Sequence, residues 1–403
     1  MKNILTQQQI NKIVNNIKKK NFSSALNETE KLSKNFPQSV EVNKLFISIY
    51  FNTKNWIKAI EHCEKILRTG KDEFKTLTNI GVALFNLGKI NESIKSFKKA
   101  IIKNPEFYLA HNNLAISYLE LGNLQCAITH FVKALQINKD DLNAKSYLIN
   151  ILNLAKPKNK NEHPIIKIDD EISKIRNKFN DENIFKDVSI KYILEKSNEI
   201  IENFEQNIFL NETQIFRKNT DNLNCKRHFQ VFNEFNVIPK YCFGCYKIQI
   251  NLKTVVDLIK LFLIFDKIKL KRNNIRKCII ENRNKIQGNY KGYIYCKEIA
   301  EAETIRKIIN KMITQEDIGV DNITLKHGCS EFYESYPEFK KINPNSEKQM
   351  KYDNEWKSFE EIIDSREPKR IDEDKKIFSK SIEGINLSDI LIINNWISYA
   401  QII

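Results

Sequence analysis

The sequence predicts a multidomain protein in which an all-α solenoid of helical repeats precedes a smaller α+β domain with a Cys/His cluster. Three observations predict it: side chains recur every 34 residues in the first third, apolar and polar residues alternate in short segments after residue 245, and two Cys/His pairs stand just before those segments. With 403 residues and 41% hydrophobic side chains, the chain can form two or three cores. We place the solenoid at 1–155, a linker and helical spacer at 156–224, the cluster and α+β domain at 225–330, and an acidic helical extension at 331–403.

The repeat is visible in small and large residues at fixed positions. Matching residues 34 positions apart are Gly81, Leu84, Gly88, Ser93, Phe97 and Ala100 with Ala115, Tyr118, Gly122, Ala127, Phe131 and Ala134. Small residues allow two helices to approach closely, while large ones pack between units. Weaker matches continue toward the start of the chain, although Lys54 stands where the turn glycine is expected. We therefore expect four units over 6–141 and a capping helix over 142–155.

The segments Asn79–Pro105 and Asn113–Leu135 resemble the tetratricopeptide repeat, a helix–turn–helix unit of 34 residues. The resemblance implies a non-catalytic protein that binds an extended peptide of a partner protein in a groove. It also implies that asparagines at one groove-lining position bond to the peptide backbone. In this chain these are Asn11, Asn79 and Asn113, whereas Leu45 interrupts the series.

The α+β domain follows from a change of hydrophobic period. Strands are predicted at 247–252, 277–283, 291–297 and 322–328, with helices at 255–270 and 298–313. The resulting order β-α-β-β-α-β is the pattern of ferredoxin-like domains. Helices on one face of the sheet would explain the alternation. We further expect Cys278 and Cys296, equidistant from Gln287 in the hairpin turn, to face each other as free thiols.

The other face of the predicted sheet is basic. It carries Lys247, Lys277, Arg283, Lys291, Tyr293, Tyr295, Lys297 and Lys326. Tyrosines among lysines are typical of surfaces that stack unpaired bases and bind phosphates. Lys291-Gly292-Tyr293 partly resembles the RNA-recognition-motif signature, although Ile294 and Cys296 depart from it. Binding of RNA or single-stranded nucleic acid is therefore an alternative function, and an intramolecular or protein contact on this face is the competing interpretation.

A Cys/His cluster precedes the first strand. Cys225-x2-His228 and Cys242-x2-Cys245 are two chelating pairs, a spacing typical of a structural zinc site with four ligands. Because the first and fourth strands are neighbours in this topology, His327 and Cys329 are expected close by and could complete or replace a ligand. Free buried thiols, or an iron–sulfur or redox site, are the alternatives, and the last of these would make the protein a metal-dependent or redox enzyme.

Charge and targeting signals narrow the function further. The net charge of +15 is concentrated in residues 1–155 and 225–330, each with an excess of ten basic side chains. Phosphate-binding loops of the GxxxxGK[ST] or GxGxxG type are missing from the sequence, and so are a signal peptide and a long apolar span. We expect a cytoplasmic scaffold or adaptor with no membrane partner, stabilised by zinc, and leave its oligomeric state open.

Overall fold

The computed structural model describes residues 5–158, 163–176, 178, 183–204, 208–217, 223–283, 288–342, 349–366 and 380–402. Phe179 in the predicted helical spacer, Gln287 in the predicted hairpin turn, and residues 343–348 of the predicted acidic extension lie outside this set. The chain divides into two compact units. The first contains residues 1–145, and the second contains 146–367 and 377–403.

The first unit is a series of helices in which each contacts the next along the chain. The helices are α1 (Gln7–Lys18), α2 (Phe22–Asn35), α3 (Val40–Asn52), α4 (Trp56–Leu67), α5 (Glu73–Asn86), α6 (Ile90–Lys103), α7 (Tyr108–Glu120) and α8 (Leu124–Ile137). The predicted capping segment forms α9 (Leu142–Leu152), in which the boundary between the two units falls.

The turn between the paired helices has the same geometry in each repeat. One residue in every turn has a positive φ, and these residues are spaced by 34: Lys20, Lys54, Gly88 and Gly122. The next residue is the N-cap of the second helix, and its side chain accepts a backbone N–H bond at Asn21, Asn55 and Asn123. The turn geometry is therefore the same in all four repeats, including the two whose sequences match the pattern weakly.

Buried polar contacts between paired helices also follow the repeat. A residue of the first helix bonds to one 19 positions later in the second helix, as His62 Nδ1–H to Asn43 Oδ1 (2.8 Å), Ser96 Oγ–H to the Leu77 carbonyl (2.8 Å) and His130 Nδ1–H to His111 Nδ1 (3.2 Å). The small residues predicted to allow close approach, Ala59, Ser93 and Ala127, are fully buried. Close packing and satisfied polar groups thus hold these three helix pairs together.

The second unit begins with helices and continues into a sheet. Its elements are α10 (Pro164–Arg176), α11 (Asp187–Asn203), β1 (Gln214–Arg217), α12 (Cys225–Phe235), α13 (Lys240–Phe243), β2 (Tyr246–Leu252), α14 (Val255–Lys267), β3 (Arg276–Ile280), β4 (Tyr290–Cys296), α15 (Ile299–Gln315), β5 (Val320–His327), α16 (Lys357–Arg366) and α17 (Leu387–Ala400). Short 3-10 turns lie at Glu331–Tyr333, Pro337–Lys340 and Asn354–Trp356.

The five strands form one antiparallel sheet in the order β1-β3-β4-β2-β5. Ile248, Ile250 and Ile294 are fully buried, and α14 and α15 contact the strands that carry them. A Cβ on Gly292 would lie 2.2 Å from Leu261 of α14, which identifies this as the helix-covered face. The opposite face carries the polar side chains that alternate with these residues.

Three details differ from the sequence prediction. The predicted linker and helical spacer at 156–224 contains β1, whose four residues pair with β3 and are too few for their alternation to be recognised in a sequence. Cys278 pairs with Gly292 and Cys296 with Tyr246, so the two cysteines do not face each other across the hairpin. Among the described residues, the extension predicted to be helical from 331 begins with short 3-10 turns, and its first α-helix starts only at Lys357.

Within the described ranges, helices of sufficient length and apolar character to cross a membrane are absent.

Candidate functional site

The three asparagines of the predicted peptide groove each lie on the first helix of a repeat. Asn11 is exposed on α1, while Asn79 on α5 and Asn113 on α7 are half-buried. The Asn113 amide donates one hydrogen bond to the Leu109 carbonyl of its own helix (2.8 Å). Leu45, the equivalent residue of the second repeat, is 5% exposed and packs in the core.

The polar face of the sheet brings most of the predicted basic residues together. In the register of the strands, Lys247 pairs with Tyr295 and Lys326, while Tyr293 pairs with Gln249 and Lys277. Lys291 pairs with Asn251. The prediction of one basic face thus agrees with the strand register for these residues.

Tyr293 is covered by its neighbours. The Nζ atoms of Lys247 and Lys277 each lie 5.3 Å from the centre of its ring, and Tyr293 is only 7% exposed. A base could stack on this ring only after both lysines moved. Tyr295 is half-buried, and burial raises its pKa well above the ordinary value.

The charges of this face are unevenly compensated. Arg283 forms ion pairs with Glu281 (2.8 Å) and Glu331 (3.5 Å), whereas Lys297 is exposed. Lys291 is fully buried, and its Nζ has no hydrogen-bond partner. Burial lowers the pKa values of the lysines on this face, which are Lys247, Lys277, Lys291 and Lys326. The face therefore has a surplus of positive charge in a desolvated setting.

Four of the eight cysteines converge beside one end of this face. Cys225 is the first residue of α12, Cys242 lies in α13, Cys245 precedes β2 and Cys329 follows β5. Cys242 and Cys329 are packed in the same buried cluster, together with Phe332 and Phe339. All four are free thiols.

The environment of these thiols favours their protonated form. The hydrogen bond that Cys225 donates to Cys329, together with burial, raises the pKa of Cys225. Burial raises the pKa of Cys245 to about 12. The bond accepted from Cys225 lowers the pKa of Cys329, but the bond donated to Cys242 and burial outweigh it, so that its pKa is raised.

The two histidines of the predicted cluster are engaged by aromatic rings. His228 stacks on Tyr241, with ring centres 5.2 Å apart, and is buried. His327 is packed between Tyr246 (5.0 Å) and Phe339 (4.1 Å), and it lies on the same face as Tyr246, opposite to Lys247. The structure brings Cys225, Cys242 and Cys245 together with Cys329, which the sequence suggested only as an additional ligand.

Among the residues that the structure describes, there is no group of three or more His, Cys, Asp or Glu side chains that could hold a metal ion. The zinc prediction therefore stays a prediction. Sequence reasoning missed Gly328, because its role comes from a neighbouring strand: a Cβ at this position would lie 2.4 Å from Cys245 Sγ. The signal available in the sequence was the adjacent pair Gly328-Cys329 at the end of a predicted strand.

Comparison with known families supports the interpretation of the first unit. A family model described as tetratricopeptide repeat matches residues 74–101 and 108–141. Residues 74–141 contain tetratricopeptide repeats. The match confirms the predicted repeat family for this region, which includes Asn79 and Asn113. None of the curated proteins matches the chain.

Solved structures with similarity to this chain include several proteins of known name. The PilF protein of Pseudomonas aeruginosa is 18% identical with a TM-score of 0.33, and the match covers 36% of this chain and 66% of PilF. A MamA structure, MSR-1 C2, is 24% identical with a TM-score of 0.30, covering 32% of this chain and 75% of MamA. A chain of the Cut9–Hcn1 hetero-tetramer of APC/C is 19% identical with a TM-score of 0.33, and the match covers 36% of this chain and 30% of that one. The chain thus spans just under two thirds of PilF.

Proposed function

We propose that this protein is a non-catalytic scaffold whose repeat unit binds an extended peptide segment of a partner protein. The observation that carries the proposal is the tetratricopeptide match over 74–141, extended by the turn geometry to four successive units. Four units give a surface long enough for several residues of extended peptide, whereas a single helix pair does not. The first helices of the units, α1, α3, α5 and α7, would line the groove.

The polar contacts to the peptide would come from Asn79 and Asn113, with Asn11 at the end of the series. An amide side chain both donates and accepts hydrogen bonds, so it can bond to a peptide backbone whatever the peptide's side chains are. Specificity would then come from the side chains around the asparagines. Leu45 is excluded from this role because it packs in the core.

We further propose that the second unit is a ferredoxin-like domain with one additional edge strand. The order of its elements from β2 to β5 is β-α-β-β-α-β, and the sheet order with β1 set aside is β3-β4-β2-β5. In this proposal β1, from the region before the domain, extends the sheet next to β3. The polar face would serve an intramolecular or protein contact.

Two alternative functions receive less support from the geometry. Base stacking on Tyr293 would require displacement of Lys247 and Lys277, whose Nζ atoms each lie 5.3 Å from the centre of its ring. A nucleophilic or redox cysteine needs a thiolate, but the pKa of Cys245 is about 12 and burial protects the thiol. The proposal places the protein in a reducing cytoplasm, where its eight cysteines would stay free thiols.

The proposal is tested with peptides selected from a random display library on the full chain. A selected peptide is synthesised, and its affinity is measured by calorimetry. Replacing Asn79 and Asn113 together by alanine should weaken binding by about tenfold or more, because two hydrogen bonds are lost. Asn91→Ala, on the exposed side of α6, is the matched control and should leave the affinity unchanged. Equal affinities of the double variant and the control would reject these asparagines as ligands of the peptide.

A further inference from the structure

The strand β5 forms one edge of the sheet in the second unit. It pairs with β2 on one side, and among the residues that the structure describes no strand pairs with its other side. Asn322 is exposed, and the residues from Ile323 to Lys326 are half-buried. The opposite edge of the sheet differs, because α17 contacts β1 there. An open edge strand is a template for pairing with a further strand.

The hydrogen bonds between β2 and β5 show which backbone groups of β5 face outward. The Gly328 N–H donates to the Cys245 carbonyl (2.8 Å) in the register that the two strands share. In an antiparallel pair, alternate residues direct their N–H and C=O groups toward the partner strand. The even-numbered residues of β5 from position 322 onward therefore bond toward β2. Ile323 and Leu325 direct their N–H and C=O groups away from the sheet.

A groove lies along this edge, between β5 and the helix α15. Its volume is about 600 Å³, and its lining includes Lys307 and Ile313 of α15 together with Asn322 and Ile323 of β5. Consecutive residues of a strand point to opposite faces, so a groove lined by both Asn322 and Ile323 includes the edge itself. The edge therefore has room for an added strand.

The charged side chains near this edge are divided between its two ends. Asp317 and Asp321 are exposed at the start of β5, whereas Lys326 stands near its end. The helix α15 contacts β5 and leads into it through residues 316–319, so the last turn of α15 lies beside the start of the strand. Lys307, which is exposed and more than two turns earlier, lies toward the other end. One end of the edge is thus acidic and the other is basic.

We propose that β5 pairs with β5 of a second copy of this chain, so that two sheets join edge to edge across a two-fold axis. Such a contact uses the same surface in both copies. Antiparallel pairing brings the acidic end of each edge beside the basic end of the other, so Asp321 of one copy approaches Lys307 of the next. An edge with this charge distribution is complementary to a second copy of itself.

The backbone and the apolar side chains select the register of this pair. If Ile323 of each copy lies opposite Leu325 of the other, the outward N–H and C=O groups of these residues bond to each other across the axis. The side chains of both residues share a face with Ile248 and Ile250, their fully buried partners in β2. The helix-covered apolar face then continues from one copy into the other.

The polar face is matched in the same register. Thr324 lies opposite Thr324 of the second copy, and its buried Oγ1 has no hydrogen-bond partner among the described residues. Two threonines that face each other across strands form such a bond. Lys326 lies opposite Asn322, so that the two copies of Lys326 are kept apart. The pairing ends there, because His327 is packed against Phe339, with ring centres 4.1 Å apart.

The dimer goes beyond the proposed peptide-binding function and does not depend on it. If both proposals hold, one scaffold carries two repeat units and binds a partner with two matching segments more tightly than one unit does. β5 lies in the second unit, whereas Asn79 and Asn113 lie in the first. Loss of dimerisation with unchanged peptide affinity, or the reverse, therefore separates the failure of one proposal from the failure of the other.

The test begins with the mass of the full wild-type chain in solution. Sedimentation equilibrium should give twice the chain mass of 47.5 kDa at high concentration. Segment 320–327 should exchange its amide protons more slowly in the dimer than after dilution, because the N–H groups of Ile323 and Leu325 gain partners. A single-chain mass at every concentration up to about 100 μM would overturn the proposal, and would leave the edge open to an extended segment of another protein.

Leu325→Pro tests the strand pairing itself. Proline removes the outward N–H of this residue and no bond to β2, and edge strands accept proline at such positions. The variant should keep the circular dichroism spectrum of the wild type and lose the dimer. A folded variant that still forms the dimer would show that β5 is not the interface.

Charge variants on α15 test the arrangement without altering the strand. Lys307→Glu should weaken dimerisation by about tenfold, because two symmetry-related contacts change from attraction to repulsion. Lys311→Glu, at an exposed position one turn further along and outside the groove lining, is the matched control and should leave the dissociation constant unchanged. Adding Asp321→Lys to Lys307→Glu should restore dimerisation. Equal effects of the two lysine substitutions, or no restoration by Asp321→Lys, would overturn the proposed arrangement.

Discussion

Lys54 and Gly88 occupy the same position in consecutive repeats, and both have a positive φ, 56° and 77° respectively. Glycine adopts this conformation without strain, whereas a residue with a Cβ is destabilised in it by about 1–2 kcal/mol. Lys20, one repeat earlier, has the same conformation with φ of 59°. The tertiary structure of the repeat thus imposes a glycine conformation on two lysines.

Replacing Lys54 by glycine should therefore stabilise the first unit. We expect an increase in the free energy of unfolding of about 0.5–1 kcal/mol, since the relief of strain exceeds the entropy that glycine adds to the unfolded chain. Thermal unfolding of the full chain, followed by circular dichroism, measures this change in stability. Gly88→Lys is the matched reverse substitution and should destabilise by a similar amount. A lower melting temperature for Lys54→Gly would contradict the argument.

The N-cap of α6 is the second position where one repeat departs from the others. Asn21, Asn55 and Asn123 accept a backbone N–H bond at this position, but Lys89 makes no such bond, although its φ and ψ of −82° and 62° resemble those of Asn55. Lys89→Asn should supply the missing bond and raise the free energy of unfolding by about 1 kcal/mol.

The exposed pair of Lys89 with Glu92, at 3.9 Å, contributes too little to offset this gain. Lys95→Asn, an exposed position inside α6, serves as the control and should be neutral or slightly destabilising. The cap hypothesis fails if Lys89→Asn and Lys95→Asn change the melting temperature in the same direction and by the same amount.

The first unit should lose stability at mildly acidic pH because of its buried histidines. Burial lowers the pKa of His62 from 6.5 to about 4, and its neutral ring donates to Asn43. The unfolded chain therefore takes up this proton more readily than the folded one, so the stability contributed by neutral His62 is complete above pH 6.5 and is lost as the pH falls toward 4.

His62→Gln removes this titration. Between pH 7.5 and 5, the free energy of unfolding of the wild type should fall by about 1–2 kcal/mol more than that of the variant. Urea unfolding at a series of pH values gives both curves. Parallel curves for the two proteins would show that His62 does not titrate between the folded and unfolded states as argued.

A buried ion network stabilises the second unit. Arg217 of β1 forms a bidentate pair with Asp389 of α17, at 3.1 and 2.9 Å, and a second pair with Asp266 of α14. Arg217 is 4% exposed and Asp389 is fully buried. Asp389→Ala should lower the free energy of unfolding by about 3–5 kcal/mol, because part of a buried guanidinium loses its partner.

Glu361→Gln, which removes the exposed pair with Lys357, is the control and should change stability by less than about 0.5 kcal/mol. In a double-mutant cycle, Arg217→Met should reduce the cost of Asp389→Ala. Additive effects of the two substitutions would mean that the contact does not contribute to stability as a pair.

The repeat was predictable because its signal is dense and local. Small residues such as Ala59 and Ala127, and turn glycines such as Gly88, recur at a spacing that can be counted along the chain. The polar face of the sheet was accessible for a similar reason, since alternation alone places Lys247 and Tyr293 on one side.

Other features depend on contacts between distant residues and leave no local pattern. Arg217 is 172 residues away from Asp389, and four residues of β1 are too few to be recognised as a strand. His228 stacks on Tyr241, a contact that the spacing of the cysteines and histidines along the chain does not indicate. Lys247 and Lys277 cover the ring of Tyr293, and this contact likewise depends on side-chain conformations that the sequence does not indicate.

Hydrogen exchange of the full chain, with and without a selected peptide, tests the central claim most directly. If the repeat unit binds the peptide in its groove, amide protons in α1, α3, α5 and α7 should exchange more slowly in the complex. The sheet of the second unit should exchange at the same rate in both samples. Protection confined to the second helices of the units or to the strands β1–β5 would contradict peptide binding by the groove.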